Sequence, residues 1–190
     1  MLNKIWPLHY TFKPLQITPE LEGLYRIYRE NIDFFTSESL TRLLYDELIP
    51  ELLPENIFNS FTVEWRENDR LIAAGVLDLG EKSSAGIVNF YDPAFKKLSL
   101  GKCLMLKKML ISQSLHMDYY YPGYIGYKYP KFDYKLFIGE EWAELFDPVQ
   151  QVWLPYSAEL LKDISEAYLL KLEKAEPAPP FLKDDTSFIL

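Results

Sequence analysis

Residues 85–121 read AGIVNFYDPAFKKLSLGKCLMLKKMLISQSLHMDYYY, and the way this stretch folds decides the architecture. Ile87, Val88, Phe90 and Tyr91 are β-branched or aromatic, which suits a strand over Ala85–Tyr91. Asp92-Pro93 closes it, because proline brings no N–H to a ladder. From Leu100 to Leu115 the spacing predicts a helix with Leu104, Leu106, Met109, Leu110 and Leu115 on its apolar face and Lys107 and Lys108 beside it. Met117–Tyr121 then reads as a second strand. A helix between two strands is a crossover connection, so the flanking strands are expected to be parallel neighbours.

Working outward, Phe58–Arg66 (FNSFTVEWR), a turn at Glu67-Asn68-Asp69 and a returning strand Leu71–Leu79 form a hairpin. A turn at Gly80–Ser84 leads into Ala85–Tyr91, which completes an antiparallel meander. Upstream, Thr18-Pro19-Glu20-Leu21 is a helix start, with threonine at the cap, proline in the first turn and acid following; the helix runs to about Asn31. A second helix is expected from Thr36 or Ser37, ended by Pro50 and Pro54. Residues 1–19 hold Pro7, Pro14 and Pro19 and read as an extended arm or edge strand. Downstream, residues 122–137 carry too much Gly, Pro and Tyr for a regular element. A short irregular piece leads to a strand near Gln151–Leu154, and Ser157–Glu173 is a last helix. The expected fold is α+β: a mixed sheet made of an antiparallel meander and a helix crossover, flanked by helices. One domain is expected over residues 1–175, with a Pro-rich linker (EPAPP) and tail over 176–190.

Composition bounds the chemistry. A single cysteine, Cys103, excludes a disulfide framework and an all-cysteine metal site. Two histidines far apart, His9 and His116, give little to a metal, so neither a metal nor a cofactor is expected. With no apolar leader-like run and no stretch of about 18 apolar residues, a cytoplasmic protein without a membrane partner is expected. The net charge of −8 argues against general nucleic-acid binding. Yet Asp92–Lys135 holds eight lysines against three aspartates. This basic stretch either meets an anionic ligand or is solvated, and both readings stand.

Three blocks carry a family resemblance. Asn89-Phe90-Tyr91-Asp92-Pro93 with Ser99-Leu100-Gly101 resembles the "FYDP…SLG" signature of the arginyl- and leucyl-tRNA–protein transferases. Tyr119-Tyr120-Tyr121-Pro122-Gly123-Tyr124-Ile125 resembles their "YYxGYYI" stretch. Tyr129-Pro130-Lys131-Phe132-Asp133-Tyr134-Lys135 is similar to their "CPKMxYK" motif, with tyrosine where the family has cysteine. Asp69-Arg70-Leu71-Ile72-Ala73 resembles the "GRLIAV" hairpin. The blocks fall within residues 30–156, and the family's paired-cysteine cluster has no counterpart here.

The resemblance implies a GNAT-like sheet and a reaction in which the α-amine of an acceptor protein attacks the ester of an aminoacyl-tRNA, with arginine or leucine transferred. The implied partners are therefore aminoacyl-tRNA and a protein or peptide N-terminus. On this reading Lys131, Asp133 and Tyr134 are catalytic candidates: Asp133 holds the incoming ammonium or acts as base, and Tyr134 donates to an oxyanion or stacks on the terminal base. Tyr91, Ser99, Gly101, Tyr124, Tyr127 and Lys135 are binding candidates. The plainer reading of each is local: a loop lock for Lys131 and Tyr134, a surface ion pair for Asp133, strand packing for the tyrosines. Asp92 is expected to turn the chain, and Cys103 to be packed. Two other functions stay open: an acyl-CoA-dependent N-acyltransferase, for which the single Gly101 is a poor pyrophosphate loop, and a non-catalytic relative that binds peptide N-termini or tRNA.

Overall fold

The computed structural model describes residues 9–34, 36–45 and 58–174. The expected linker and tail at 176–190 and the expected end of the second helix at Pro50 lie outside the described residues. The chain divides into two compact units, Met1–Gly123 and Tyr124–Leu190, a division that falls inside the single domain expected over 1–175.

The first unit is built on a five-stranded sheet in the order β1-β2-β3-β4-β5. Its strands are β1 (His9–Pro14), β2 (Ser60–Glu67), β3 (Arg70–Leu79), β4 (Ser83–Tyr91) and β5 (Tyr119–Tyr121). Strands β1 to β4 pair antiparallel, and β4 pairs parallel with β5. The expected α+β architecture of meander and crossover is therefore present, and the N-terminal arm is an edge strand. The β2–β3 turn places both Asn68 and Asp69 at positive φ (47° and 66°), which these short polar side chains tolerate well.

Helix α1 (Pro19–Arg29) starts as its sequence dictates: the Thr18 hydroxyl accepts from the Leu21 N–H at 3.2 Å, and Pro19 sits where no N–H is needed. It buries Leu21, Leu24 and Tyr25 against Leu71, Ala74 and Phe90. Tyr25 meets Phe90 edge-on, with centroids 5.4 Å apart. Helix α2 (Leu40–Leu44) begins later than expected, and Ser39, not Thr36 or Ser37, is its cap. The reason is tertiary: the Glu22 carboxylate of α1 accepts from the Leu40 and Thr41 N–H groups at 2.9 and 2.8 Å, while the Tyr25 hydroxyl donates to the Ser37 carbonyl at 3.0 Å. Residues 36–37 are thereby held as a strap.

The crossover helix α3 (Leu100–Ser114) packs Leu100, Cys103, Leu104 and Ile111 onto Val63, Trp65, Ile72, Ala73 and Leu77. Cys103 is buried as expected. The phase of the apolar face is a correction: Leu110 and Leu115 are exposed, whereas Lys108 is fully buried. Apolar residues surround this helix on most sides, so composition alone leaves its rotation undetermined; the sheet chose the 100–104–108–111 stripe.

The second unit holds a two-stranded antiparallel sheet of β6 (Glu144–Asp147) and β7 (Val152–Pro155), followed by helix α4 (Ala158–Lys174). The strand near 151–154 and the last helix match expectation; β6 was not foreseen. Asp147 organises the turn between these strands, accepting from the Val149 and Gln150 N–H groups at 2.8 and 3.1 Å.

Candidate active site

In the first unit, the "FYDP…SLG"-like motif is the joint between β4 and α3. The Asp92 N–H donates to the Ile72 carbonyl at 2.9 Å, and its carboxylate accepts from the Ala94 N–H at 2.9 Å. This opens a short 3-10 helix, Pro93–Leu98, that sequence reading missed. The other carboxylate oxygen takes the Arg70 guanidinium, which also lies 5.9 Å from the Phe95 ring centroid. Two motif blocks distant in sequence, at Arg70 and Asp92, thus meet in one ion pair, and the turning role expected of Asp92 is what the geometry shows.

Ser99 then reverses the chain in the left-handed region, φ 55°, and its carbonyl accepts from the Cys103 N–H at 3.2 Å. Its hydroxyl makes no capping bond to α3. A Cβ added to Gly101 would meet the Tyr91 ring at 3.7 Å, an ordinary contact, so packing within the unit does not demand glycine there. Tyr91, Ser99 and Gly101, singled out separately, form one neighbourhood. Asn89, which opens the same motif, has a buried Oδ1 beside Gly75 with no hydrogen-bond partner among the described residues.

Sequence reasoning missed Lys108, which it left beside the apolar face. Its ammonium donates to the main-chain carbonyls of Val76 at 3.0 Å and Val88 at 3.4 Å. These two residues face each other where the β3–β4 register shifts and Ile87 is the extra residue of a bulge. A bulge leaves ladder groups short of partners, and the lysine supplies donors to them. Gly86 leaves the space: an added Cβ would lie 3.1 Å from the Lys108 Nζ and would collide with the Tyr120 hydroxyl. Asp78 feels the same charge, but burial dominates and raises its carboxyl above the usual range, against the Ser60 hydroxyl bond and Lys108, which lower it. A signal existed in the 4-residue steps Leu100, Leu104, Lys108, with a glycine on the neighbouring strand to receive the long side chain.

In the second unit, the "CPKMxYK"-like motif is another short 3-10 helix, Pro130–Leu136. The Phe132 N–H donates to the Tyr129 carbonyl at 3.1 Å, which fixes its entrance. Lys131, Asp133, Tyr134 and Lys135 all lie on it. Its centre is the Phe132 ring. Lys131 and Lys135 place their ammonium groups 5.6 and 4.9 Å from the centroid of that ring, and Tyr129 stacks against it at 6.4 Å. The Lys135 Nζ also donates to the Tyr124 carbonyl, which ties the helix to the Tyr124–Tyr127 segment. Burial pushes the Lys135 amine down to about 8. Tyr156 has its hydroxyl pushed up, by burial first and then by the charges of Glu140 and Asp133. Tyr124 is the most open of the candidates, 81 % exposed, and Lys128 lies 5.1 Å from the Tyr127 ring centroid. Among the described residues no group of three or more His, Cys, Asp or Glu side chains is placed to hold a metal, and no helix is long and apolar enough to cross a membrane.

The fold and the sites define an α+β domain whose motif residues gather at the β4–α3 joint and on one short helix of the second unit. The chain belongs to the family described as "Arginine-tRNA-protein transferase, C terminus", whose model matches residues 20–141. It is 28 % identical over 169 residues to arginyl-tRNA–protein transferase 2 of Arabidopsis thaliana, with 78 % of this chain covered. It is 29 % identical over 142 residues to arginyl-tRNA–protein transferase 1 of Drosophila melanogaster, covering 72 % of the chain. A shorter match, 36 % identical over 67 residues and 35 % of the chain, is to the aspartate/glutamate leucyltransferase of Campylobacter jejuni. The chain spans 28 % of the length of each of these relatives. Among solved structures, an aminoglycoside acetyltransferase from an uncultured soil metagenomic sample, in complex with sisomicin, is 13 % identical with a TM-score of 0.48, covering 77 % of this chain and 97 % of that one. A GNAT-family acetyltransferase of Staphylococcus aureus Mu50 is 17 % identical with a TM-score of 0.47, covering 72 % and 86 %. The likeness to both is slight.

Proposed function

We propose that this chain is an aminoacyl-tRNA–protein transferase that moves arginine or leucine from charged tRNA to the α-amine of an acceptor protein. The observation that carries the reading is family membership over residues 20–141, a match that includes the motif helix bearing Lys131, Asp133, Tyr134 and Lys135. In the reaction the amine nitrogen attacks the ester carbonyl, a C–N bond forms, the C–O bond to the ribose breaks, and the ribose oxygen leaves with a proton. An ester is already activated, so positioning and charge carry much of the rate and no covalent nucleophile is needed. Buried Cys103, whose thiol burial pushes up, is a poor nucleophile in any case.

Asp133, exposed on the motif helix, attracts the acceptor's ammonium. Tyr134 donates to the developing oxyanion, and Lys131 meets the negative end of the tRNA. Tyr124, Tyr127 and Lys135 bind substrate in the second unit, and Tyr91, Ser99 and Gly101 do so in the first. The physiological outcome on this reading is arginylation or leucylation of cytoplasmic protein N-termini, marking them for degradation.

The test is a transfer assay with tRNA charged separately with radiolabelled arginine and leucine, and peptides bearing N-terminal Asp, Glu, Arg or Lys as acceptors. Acetyl-CoA runs in parallel. Label passing from one tRNA to one peptide class is the expected result. Acetyl transfer with no tRNA-dependent transfer would move the chain to acyl-CoA chemistry, and no transfer from any donor would make it a non-catalytic relative.

A further inference from the structure

We propose that residues 124–135 form a platform for single-stranded RNA, on which the unpaired 3′ end of the donor tRNA lies with its bases against tyrosine rings and its phosphates against Lys128 and Lys131. The inference rests on the transferase reading and deepens it, by naming the surface that grips the donor and the forces that hold it.

The segment reads YIGYKYPKFDYK: four tyrosines, one phenylalanine and three lysines against a single aspartate, in a chain whose net charge is −8. Local bonds fold it onto itself. The Tyr129 N–H donates to the Gly126 carbonyl at 3.1 Å, the Phe132 N–H to the Tyr129 carbonyl at 3.1 Å, and the Lys135 amine to the Tyr124 carbonyl. Two of the rings nevertheless stay at the surface, Tyr124 at 81 % and Tyr129 at 57 % exposure. Lys128 and Lys131 are exposed among them.

The rings and cations are interleaved. Tyr129 and Phe132 are 25° from parallel with centroids 6.4 Å apart, and the Lys131 ammonium stands 5.6 Å from the Phe132 centroid. Lys128 carries the reading furthest. It sits in the left-handed region, φ 65°, where glycine or asparagine costs less than a lysine. Its ammonium lies 5.1 Å from the Tyr127 centroid, and it makes no ion pair among the described residues. A lysine held in a costly turn position, beside a ring and with no carboxylate to meet, presents its charge outward.

The chemistry selects the partner. Phosphates answer lysines, and any base answers an exposed ring, because every base has a π-face. An acidic peptide would meet the lysines and leave Tyr124 and Tyr129 uncovered. A duplex keeps its bases within its own stack. An unpaired strand offers phosphates and free base faces together, and a charged tRNA carries its amino acid on such an end. Asp133, exposed in the same segment, repels phosphate, which suits the ammonium assigned to it.

Binding is measured with uncharged RNA, so that no transfer is needed. Fluorescence anisotropy compares a labelled RNA hairpin bearing a short unpaired 3′ tail with the same hairpin blunt-ended, across salt concentration. The tailed hairpin should bind wild type at least about tenfold more tightly. Tyr129→Ala should weaken the tailed hairpin about tenfold with its salt dependence unchanged, because stacking carries no counterions. Lys128→Asn suits the left-handed turn and so keeps the fold, yet it should lower the slope of log affinity against log salt by about 0.7, the loss of one phosphate contact. Lys162→Ala, which removes an exposed lysine of α4, should change neither quantity. Urea unfolding checks that every variant is folded. Equal binding of the two hairpins would overturn the proposal, and so would wild-type binding in Lys128→Asn and Tyr129→Ala. An equal loss in Lys162→Ala would reduce the surface to diffuse charge, and displacement of the RNA by an acidic peptide as readily as by the free tail strand would give the surface to a protein partner; either result ends the proposal. Transfer is scored separately. If wild type transfers from charged tRNA while the variants bind the tail normally, the platform fails and the transferase reading stands. If the variants lose the tail but wild type transfers from no tRNA, the platform stands and the transferase reading fails.

Discussion

Lys108 and Lys135 belong to the same basic stretch of sequence, yet the molecule treats them oppositely. Lys108 lies in the core of the first unit, fully buried, with two sheet carbonyls as acceptors. Lys135 lies on a short 3-10 helix in the second unit, half-buried, beside the Tyr124 carbonyl and the Phe132 ring. A sheet offers rows of carbonyls in fixed positions, and a bulge exposes two of them at a place where a glycine leaves room. An irregular loop offers isolated carbonyls and little else. The same side chain becomes a structural donor in one setting and an amine whose proton affinity burial lowers in the other.

The comparison can be broken first at Lys108. Lys108→Ala should cost about 3–4 kcal/mol, since it opens a cavity and leaves the Val76 and Val88 carbonyls without their donor, whereas Lys135→Ala should cost less than about 1 kcal/mol. Urea unfolding of the two variants checks the contrast; equal losses would mean that Lys108 is not the keystone of the bulge. Gly86→Ala tests the same place from the strand side. The added methyl meets the Tyr120 hydroxyl and crowds the ammonium, so a loss of about 2 kcal/mol is expected, and a neutral result would show that the Tyr120 ring gives way freely.

A smaller effect is expected at the joint. Asp92→Ala removes the bond from the Ala94 N–H and the partner of Arg70, which is itself largely exposed, so about 1–1.5 kcal/mol is the expected loss. The smallest concerns Lys135 and pH. Burial pushes its amine down to about 8 in the folded chain, against 10.5 for the ordinary group, so between these values the unfolded chain binds more protons and stability rises with pH. The contribution is fully present above 10.5 and is lost as pH falls through 8. After solvent screening it is on the order of 1 kcal/mol, and Lys135→Met should flatten that slope in urea titrations at pH 7.5 and 10.

Much of the first unit was legible because its signals are local. Thr18-Pro19 caps α1, β-branched and aromatic runs make β2 to β4, and a helix between two strands forces a parallel crossover. The site was legible only as motifs. That Arg70 and Asp92 are partners, that Tyr91 and Gly101 are neighbours, and that Lys131 and Lys135 share the Phe132 ring are facts of three-dimensional contact. The rotation of α3 was misread because leucine and methionine lie on nearly every side of it, so its own pattern has no single apolar stripe. The start of α2 was misread because its N–H groups are met by a carboxylate eighteen residues earlier, on another helix.

The amino-acid sequence by itself determined the element order, the parallel crossover and the family motifs, because these depend on propensity, period and punctuation along the chain. The tertiary structure alone decided which lysine is buried in the core, which has its proton affinity lowered by burial and which motif residues touch. Desolvation and hydrogen-bond satisfaction depend on what the rest of the fold places around a side chain, and no local pattern encodes that.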